Sequence, residues 1–278
     1  MARTEQRTGL VPALLKQWRS RRGLSQLDLA VAADVSARHI SFLETGRALP
    51  SPEMVLLLGS TLGVPLSQVN AMLVAAGHDP VFDESDDGVP EQVARAIELL
   101  KAHHEPFPLM VVDGAYNVID LNLAAATVIG AVLGLPVPSS PPTRELVAGL
   151  GMNLARLTFD PAGAQPHLAN FEDVGRQLLW RIQREALADP GNRELRALLD
   201  ELLDMPTVSP HWREADLSVP SEPALVLHLS RGELQLRFLT TVTAFQAPQN
   251  VGVEGLRIEH WFPYDEATAT SCHQLSAR

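Results

Sequence analysis

The chain has 278 residues, 46% of them apolar and 20% charged, with a formal net charge of −11. This length supports a hydrophobic core in each of two domains. No apolar run reaches the roughly 18 residues of a membrane helix, the opening MARTEQRTGL lacks the apolar stretch of a secretory signal, and Cys272 is the lone cysteine, which excludes an internal disulfide and predicts a protein of the reducing cytoplasm, with no membrane partner.

Net acidity argues against a nucleic-acid binder, but its distribution does not. Residues 1–50 carry eight basic groups and four acidic ones, so the remaining 228 residues hold a surplus of fifteen acids. Screening confines each charge to about 8–10 Å at physiological salt, so a basic head on an acidic body still holds phosphates.

Segment 11–77 reads as helical throughout. Leu14, Leu15 and Trp18 recur at helical spacing, and Gly23 stops that helix. Ser25 is placed to cap the next helix, with Asp28 as its capping-box partner. Asp34-Val35 forms a turn, Ser36 caps a third helix that ends at Gly46, and Ser51-Pro52-Glu53 starts a fourth. A fifth runs from about Pro65 to Ala76. The stretch Leu24–Arg47 thus has two capped helices around a short turn, the layout of a helix-turn-helix that enters the major groove of double-stranded DNA.

In that reading the second of the two helices presents Ser36, Ala37, Arg38 and His39 at its N-terminal end, with Ser41 and Phe42 one turn on. Arg38 suits bidentate readout of guanine, and Ala37 suits a thymine methyl. His39 and Ser41 are further contacts. Gln26 at the start of the preceding helix is placed for a phosphate, as is Arg47 just past the recognition helix. Arg19 and Glu44 are expected to form an internal ion pair that holds that helix. The alternative is a plain helical bundle with an exposed Arg and His.

Residues 79–90, acidic and rich in turn formers, read as a linker between domains at 1–78 and 91–278. A helix is predicted from about Pro90 to His103. PLMVVD (108–113) and NVIDL (117–121) read as a strand hairpin. GLPVPSSPPT (134–143) holds four prolines and reads as a loop. Asn170 is expected to cap a long helix with Phe171, Val174, Leu178 and Ile182 on one stripe, and a second helix follows with Leu195, Leu198 and Leu202 inward. Three further strands, PALVLHL, ELQLRFLTTV and GLRIEHWF, precede a helix that starts after Asp265. The expected fold is multi-domain: an all-α five-helix head followed by an α+β domain of about five antiparallel strands with helices on one face.

Strand alternation on GLRIEHWF puts Leu256, Ile258, His260 and Phe262 on one face. His260 either meets a polar group of a ligand or is a core histidine bonded to a carbonyl. Met110, Val112, Leu178, Leu234, Leu236, Phe238 and Ile258 are candidates for the wall of a pocket for a small apolar ligand, with ordinary core as the alternative. No hydrolase, zinc-protease, phosphate-loop or paired-cysteine motif is present. Adjacent residues on a helix do not converge, so His103-His104-Glu105 makes a poor metal site. No metal and no catalytic residue are expected.

With these residues placed, RRGLSQLDLA and VSARHISFLETGRALPSPEMVLLLGSTLGVPLSQVNAML resemble an XRE-type, lambda-repressor-like helix-turn-helix. FPLMVVDGAYNVIDLN (107–122), FDPAGAQPHLANFEDVGRQLLWRIQREA (159–186) and GELQLRFLTTVTAFQAPQNVGVEGLRIEHWFPYDEAT (232–268) resemble the MmyB-like family of bacterial regulators. The resemblance implies a PAS-like C-terminal module that binds a small apolar, fatty acyl ligand, and control of transcription without a resident cofactor. Phe42 stands where some repressors place a base-reading glutamine, so the operator should differ from theirs. A homodimer is expected by symmetry with two half-sites. Two rival readings are a constitutive regulator whose second domain serves only assembly, and a small-molecule enzyme.

Overall fold

The computed structural model describes residues 10–82, 89–189, 191–214, 224–245 and 250–277. The chain divides into two units, residues 1–88 with 247–254, and residues 89–246 with 255–278.

In the first unit serine caps set the helix starts. α1 spans Leu10–Arg21, α2 Gln26–Ala32, α3 Ala37–Glu44, α4 Pro52–Leu62 and α5 Leu66–Ala75. Ser25, Ser36 and Ser51 each accept a hydrogen bond from a backbone N–H in the first turn of α2, α3 and α4, satisfying a donor that the helix itself leaves open. The capping box is complete, since the Asp28 carboxylate accepts from the Ser25 N–H at 2.9 Å. Asp34 turns the chain between α2 and α3 at φ 53°, a left-handed conformation that Asp tolerates better than most residues. Leu15, Trp18, Leu29, Ile40, Leu43, Leu58 and Leu73 form the core. A Cβ at Gly59 would lie 2.8 Å from Val69 Cγ2, so glycine lets α4 and α5 approach closely.

This unit continues into the expected linker. The buried Asn70 side chain donates to the Phe82 carbonyl at 2.8 Å and accepts from the Val81 and Phe82 N–H groups at 3.0 Å. Phe82 packs on the first core. The acidic, turn-rich composition concealed that anchor. Residues 83–88 of the linker lie outside the described residues.

The second unit is built on one antiparallel sheet. Its elements are α6 (Glu91–His104), β1 (Leu109–Val112), β2 (Val118–Leu121), α7 (Leu123–Leu133), α8 (Arg144–Gly149), α9 (Leu154–Phe159), α10 (Phe171–Ala188), α11 (Arg193–Asp204), β3 (Leu225–Arg231), β4 (Leu234–Ala244), β5 (Arg257–Pro263) and α13 (Glu266–Ser276). The short helix α12 (Val251–Glu254) groups with the first unit, where the Glu254 carboxylate accepts from the Leu66 N–H at the start of α5. Strand order is β2-β1-β5-β4-β3. Met110 sits opposite Glu259, Trp261 opposite Thr240 and Leu225 opposite Thr240 in the ladders, so these residues share one face.

Helices cover that face through α7, α10 and α13, but α6 lies on the other one. Ile97 of α6 packs with Leu109, Val111 and Ile258. The expectation of helices on one face therefore fails at β1, whose four residues are all buried. Such a continuous apolar run is the mark of a strand covered on both sides. Lys101 of α6 donates to Asp120 of β2 at 2.8 Å and to Glu98 at the same distance. Asn170 also departs from expectation. Its side chain donates to the Val226 carbonyl and accepts from the His228 N–H, so it ties α10 to β3 instead of capping the helix.

The Lys101–Asp120 pair generates a stability prediction. Lys101→Met strands a buried carboxylate and should cost about 3 kcal/mol, read as a lower urea midpoint by circular dichroism. Lys101→Met with Asp120→Leu should recover part of that loss, because the pair then leaves no lone charge.

Candidate functional site

Helix α3 is clamped from behind. Arg19 donates from Nε and Nη2 to the two Glu44 carboxylate oxygens at 2.6 and 2.9 Å, and its Nη1 donates to the Leu24 carbonyl at 2.7 Å. The Gln26 amide donates to Glu44 Oε2 at 2.8 Å. Burial alone would push the Glu44 carboxyl up. Hydrogen bonds from Arg19 and Gln26, with the charges of Arg19 and Lys16, outweigh it and hold the carboxyl below the ordinary range. Helices α1, α2 and α3 are thereby joined at one carboxylate.

In front, α3 shows its polar side. Ser36 and Arg38 are exposed, and His39 and Ser41 are half-buried. The Arg38 guanidinium lies 5.1 Å from the Phe42 ring centre and that of Arg47 6.0 Å from it. The Phe42 ring therefore gathers both cations, a contact that holds a guanidinium without consuming its N–H donors.

The second unit holds a narrow apolar slot with a cavity volume of about 70 Å³. Small-molecule pockets run to about 300–1,000 Å³, so this space is smaller than an ordinary ligand pocket. Helix α7 contributes Val128, Ile129, Val132 and Leu133, α10 contributes Val174 and Leu178, and β3 contributes Leu225, Leu227 and Leu229. Polar groups enter at Tyr116, Thr158, Arg181, Thr240 and Glu259. Arg257 donates to Glu185 Oε2 at 2.8 Å, and the Tyr116 hydroxyl donates to the same oxygen at 3.0 Å. Burial and the Glu185 charge push the Tyr116 hydroxyl far up, so it stays protonated. Burial likewise pushes the Glu259 carboxyl up to about 7, against the pull of Arg181 and Arg257.

Residues 93–275 match the MmyB-like transcription regulator ligand binding domain. The chain belongs to the MmyB-like transcription regulators. Residues 13–72 match a helix-turn-helix domain, so the chain joins a DNA-binding module to a ligand-binding one. A comparison with curated proteins gives no match.

On this MmyB-like chain the predicted residues separate into groups. Ser36, Ala37, Arg38, His39, Ser41 and Arg47 lie on or beside α3. Gln26 differs, because its amide is engaged by Glu44 inside the clamp. Among the expected ligand residues Leu178 lines the slot. Met110, Val112, Leu236 and Phe238 belong to the core on the same sheet face, with Leu234 packed at its margin. Ile258 and His260 sit on the opposite face. There Ile258 packs with Ile97, and His260 lies 5.1 Å from the His104 ring. Burial, then the His104 charge, lowers the His260 pKa.

The His103-His104-Glu105 run diverges. His103 Nδ1 is 2.8 Å from the Leu99 carbonyl, His104 Nε2 is 3.3 Å from the Trp261 carbonyl, and Glu105 accepts from the Ala124 N–H. Among the described residues no cluster of three or more His, Cys, Asp or Glu is arranged to hold a metal ion.

Sequence reading missed α7 and the charged end of the slot. Two signals for α7 were present. Asn122 caps it by accepting from the Ala125 N–H, and Gly134 ends it in the left-handed conformation. Glu259 carried a signal too, as a carboxylate inside a strand whose neighbours are apolar.

The Glu44 clamp predicts a pH effect. A carboxyl lowered by folding contributes stability above its unfolded pKa and loses it as pH falls through the folded value. Glu44→Gln should cost about 2 kcal/mol at neutral pH, and the gap from the parent chain should close as pH drops below the ordinary glutamate range, measured by denaturant midpoints across pH.

Proposed function

We propose that this protein is a cytoplasmic, XRE-type transcription regulator that binds double-stranded DNA as a homodimer and responds to a slender apolar ligand. Helix α3 enters the major groove, Arg38 reads a base edge and Arg47 meets a phosphate, with Ser36, Ala37, His39 and Ser41 as further contacts. The slot between α7, α10 and the sheet is the ligand site, and its occupant is a fatty acyl chain in a PAS-like module.

The observation that carries the reading is the slot itself. Aliphatic side chains from α7, α9, α10 and β3 line it, and polar groups gather at Tyr116, Arg181 and Glu259. That division matches a chain with a polar head. The clamp on α3 supports the DNA-binding half, because a reading helix must hold its side chains in one register.

Three outcomes follow. Arg38→Ala should weaken specific binding by about 1–3 kcal/mol and relax one base position; an operator affinity unchanged by the substitution removes Arg38 from the reading set. Arg47→Ala should weaken binding to all sequences and reduce the salt slope by about one, measured by fluorescence anisotropy across salt concentrations. Solvent extraction and mass spectrometry of the purified full-length protein should release a single-chain amphiphile in a fixed molar ratio, and a protein that yields none and binds none refutes the ligand half.

A further inference from the structure

The charged end of the slot is a quartet with one half closed. Arg181 and Glu185 stand four residues apart on α10 and share a helix face. Arg257 and Glu259 are two apart on β5 and share a strand face. Arg257 and Glu185 pair at 2.8 Å. Arg181 and Glu259 are the remaining couple. Both line the slot, and Glu259 is only 7% exposed. Among the described residues neither makes a hydrogen bond, nor an ion pair within 4.0 Å. A buried carboxylate and a guanidinium that face one space without touching leave unlike hydrogen-bonding needs there.

With Glu259 ionised, as it is above pH 7, two guanidinium groups and two carboxylates sum to zero charge, and that balance selects the head group. A carboxylate head adds an uncompensated negative charge beside Glu259 and Glu185. An ammonium head adds a positive one beside Arg181 and Arg257. Either is costly beside Glu259, which is only 7% exposed. The head must also satisfy a partner that only donates and a partner that only accepts. An ester or ketone has no donor. A hydroxyl offers one atom to two groups that stand apart. An amide presents an acceptor oxygen and a donor N–H on neighbouring atoms.

We propose that this site takes the head of an acyl amide: the carbonyl oxygen accepts from Arg181, the N–H donates to Glu259, and the acyl chain lies along the apolar slot. The assignment rests on the reading of the slot as the ligand site. The Glu259 carboxyl, raised toward 7 by burial, is stabilised in its ionised form when an N–H donates to it.

Titration calorimetry on the full-length protein, near pH 8, tests this with decanamide and decanoate, which share a chain length. Decanamide should bind about tenfold or more tightly than decanoate, the scale of one hydrogen bond to a charged group. Glu259→Gln, nearly isosteric, gives the site a donor and should shift the preference toward decanoate by a similar factor. Arg181→Met should weaken both. Leu227→Trp, which fills the slot, should abolish both. Equal or tighter binding of decanoate by the parent chain, or a preference unmoved by Glu259→Gln, overturns the amide assignment. If such binding is still lost in Leu227→Trp, the slot remains the ligand site and only the head-group assignment falls. Binding that survives Leu227→Trp, or binding of neither probe, overturns the slot reading and the assignment with it.

Discussion

Strand β5 is buried from Ile258 through Trp261, and this double coverage governs the ligand-binding unit. A strand covered on both faces cannot send its polar residues to water; each must meet whatever covers its own side. On the α6 side His260 meets the His104 and Phe262 rings. On the α7 and α10 side Arg257 meets Glu185 and Tyr116, and Glu259 faces the slot that Arg181 also lines. The slot and its charged end follow from this choice of faces. One residue of register shift would exchange the two sets and leave two carboxylates and two guanidinium groups without each other.

The DNA-binding unit solves a similar problem by concentrating bonds on one acceptor. Glu44 sits at the last turn of α3, and three donors from α1 and α2 converge on its carboxylate. A surface ion pair of the same composition would contribute little. Here the partners are held by three helices and the Glu44 side chain is 2% exposed, so separation carries a desolvation cost. The arginines of this unit divide between internal bonds and exposed positions. Arg19 is spent internally and Arg22 closes α4 by donating to the Leu62 and Gly63 carbonyls, while Arg38 and Arg47 remain exposed over Phe42.

This contrast explains what the sequence made legible. The helical head was readable because its signals are local: serine caps, an Asp in a left-handed turn, glycines at helix ends, and apolar spacing that does not compete with a second layer. The Arg19–Glu44 pair was also foreseen, from helices that had to be neighbours. The ligand side was harder. Alternation on GLRIEHWF separates residues into two sets but does not say which set faces the slot, and when both faces are covered both sets look like core. His260 drew attention as a polar residue among apolar ones, yet Glu259 beside it was the residue aimed at the slot. The run LAAATVIGAVL, continuous in small and apolar residues, has no amphipathic period to report α7, and only its caps mark it.

The quartet also bears on why a ligand-binding domain keeps charge in its interior. Replacing buried charges by well-packed apolar residues is often neutral or stabilising, so Glu259, the buried member of the four, is not explained by stability. The closed half serves position. Glu185 accepts from both Arg257 and Tyr116, which fixes α10 against β5 and holds a hydroxyl and a guanidinium in place. The open half is different. Among the described residues Arg181 and Glu259 find no hydrogen-bond partner as they face the slot, and an apolar molecule alone would leave that capacity unmet. The two halves together set a closed ion pair beside an open one, and on the proposed reading the open one meets the head group while the aliphatic walls of α7 and β3 hold the chain.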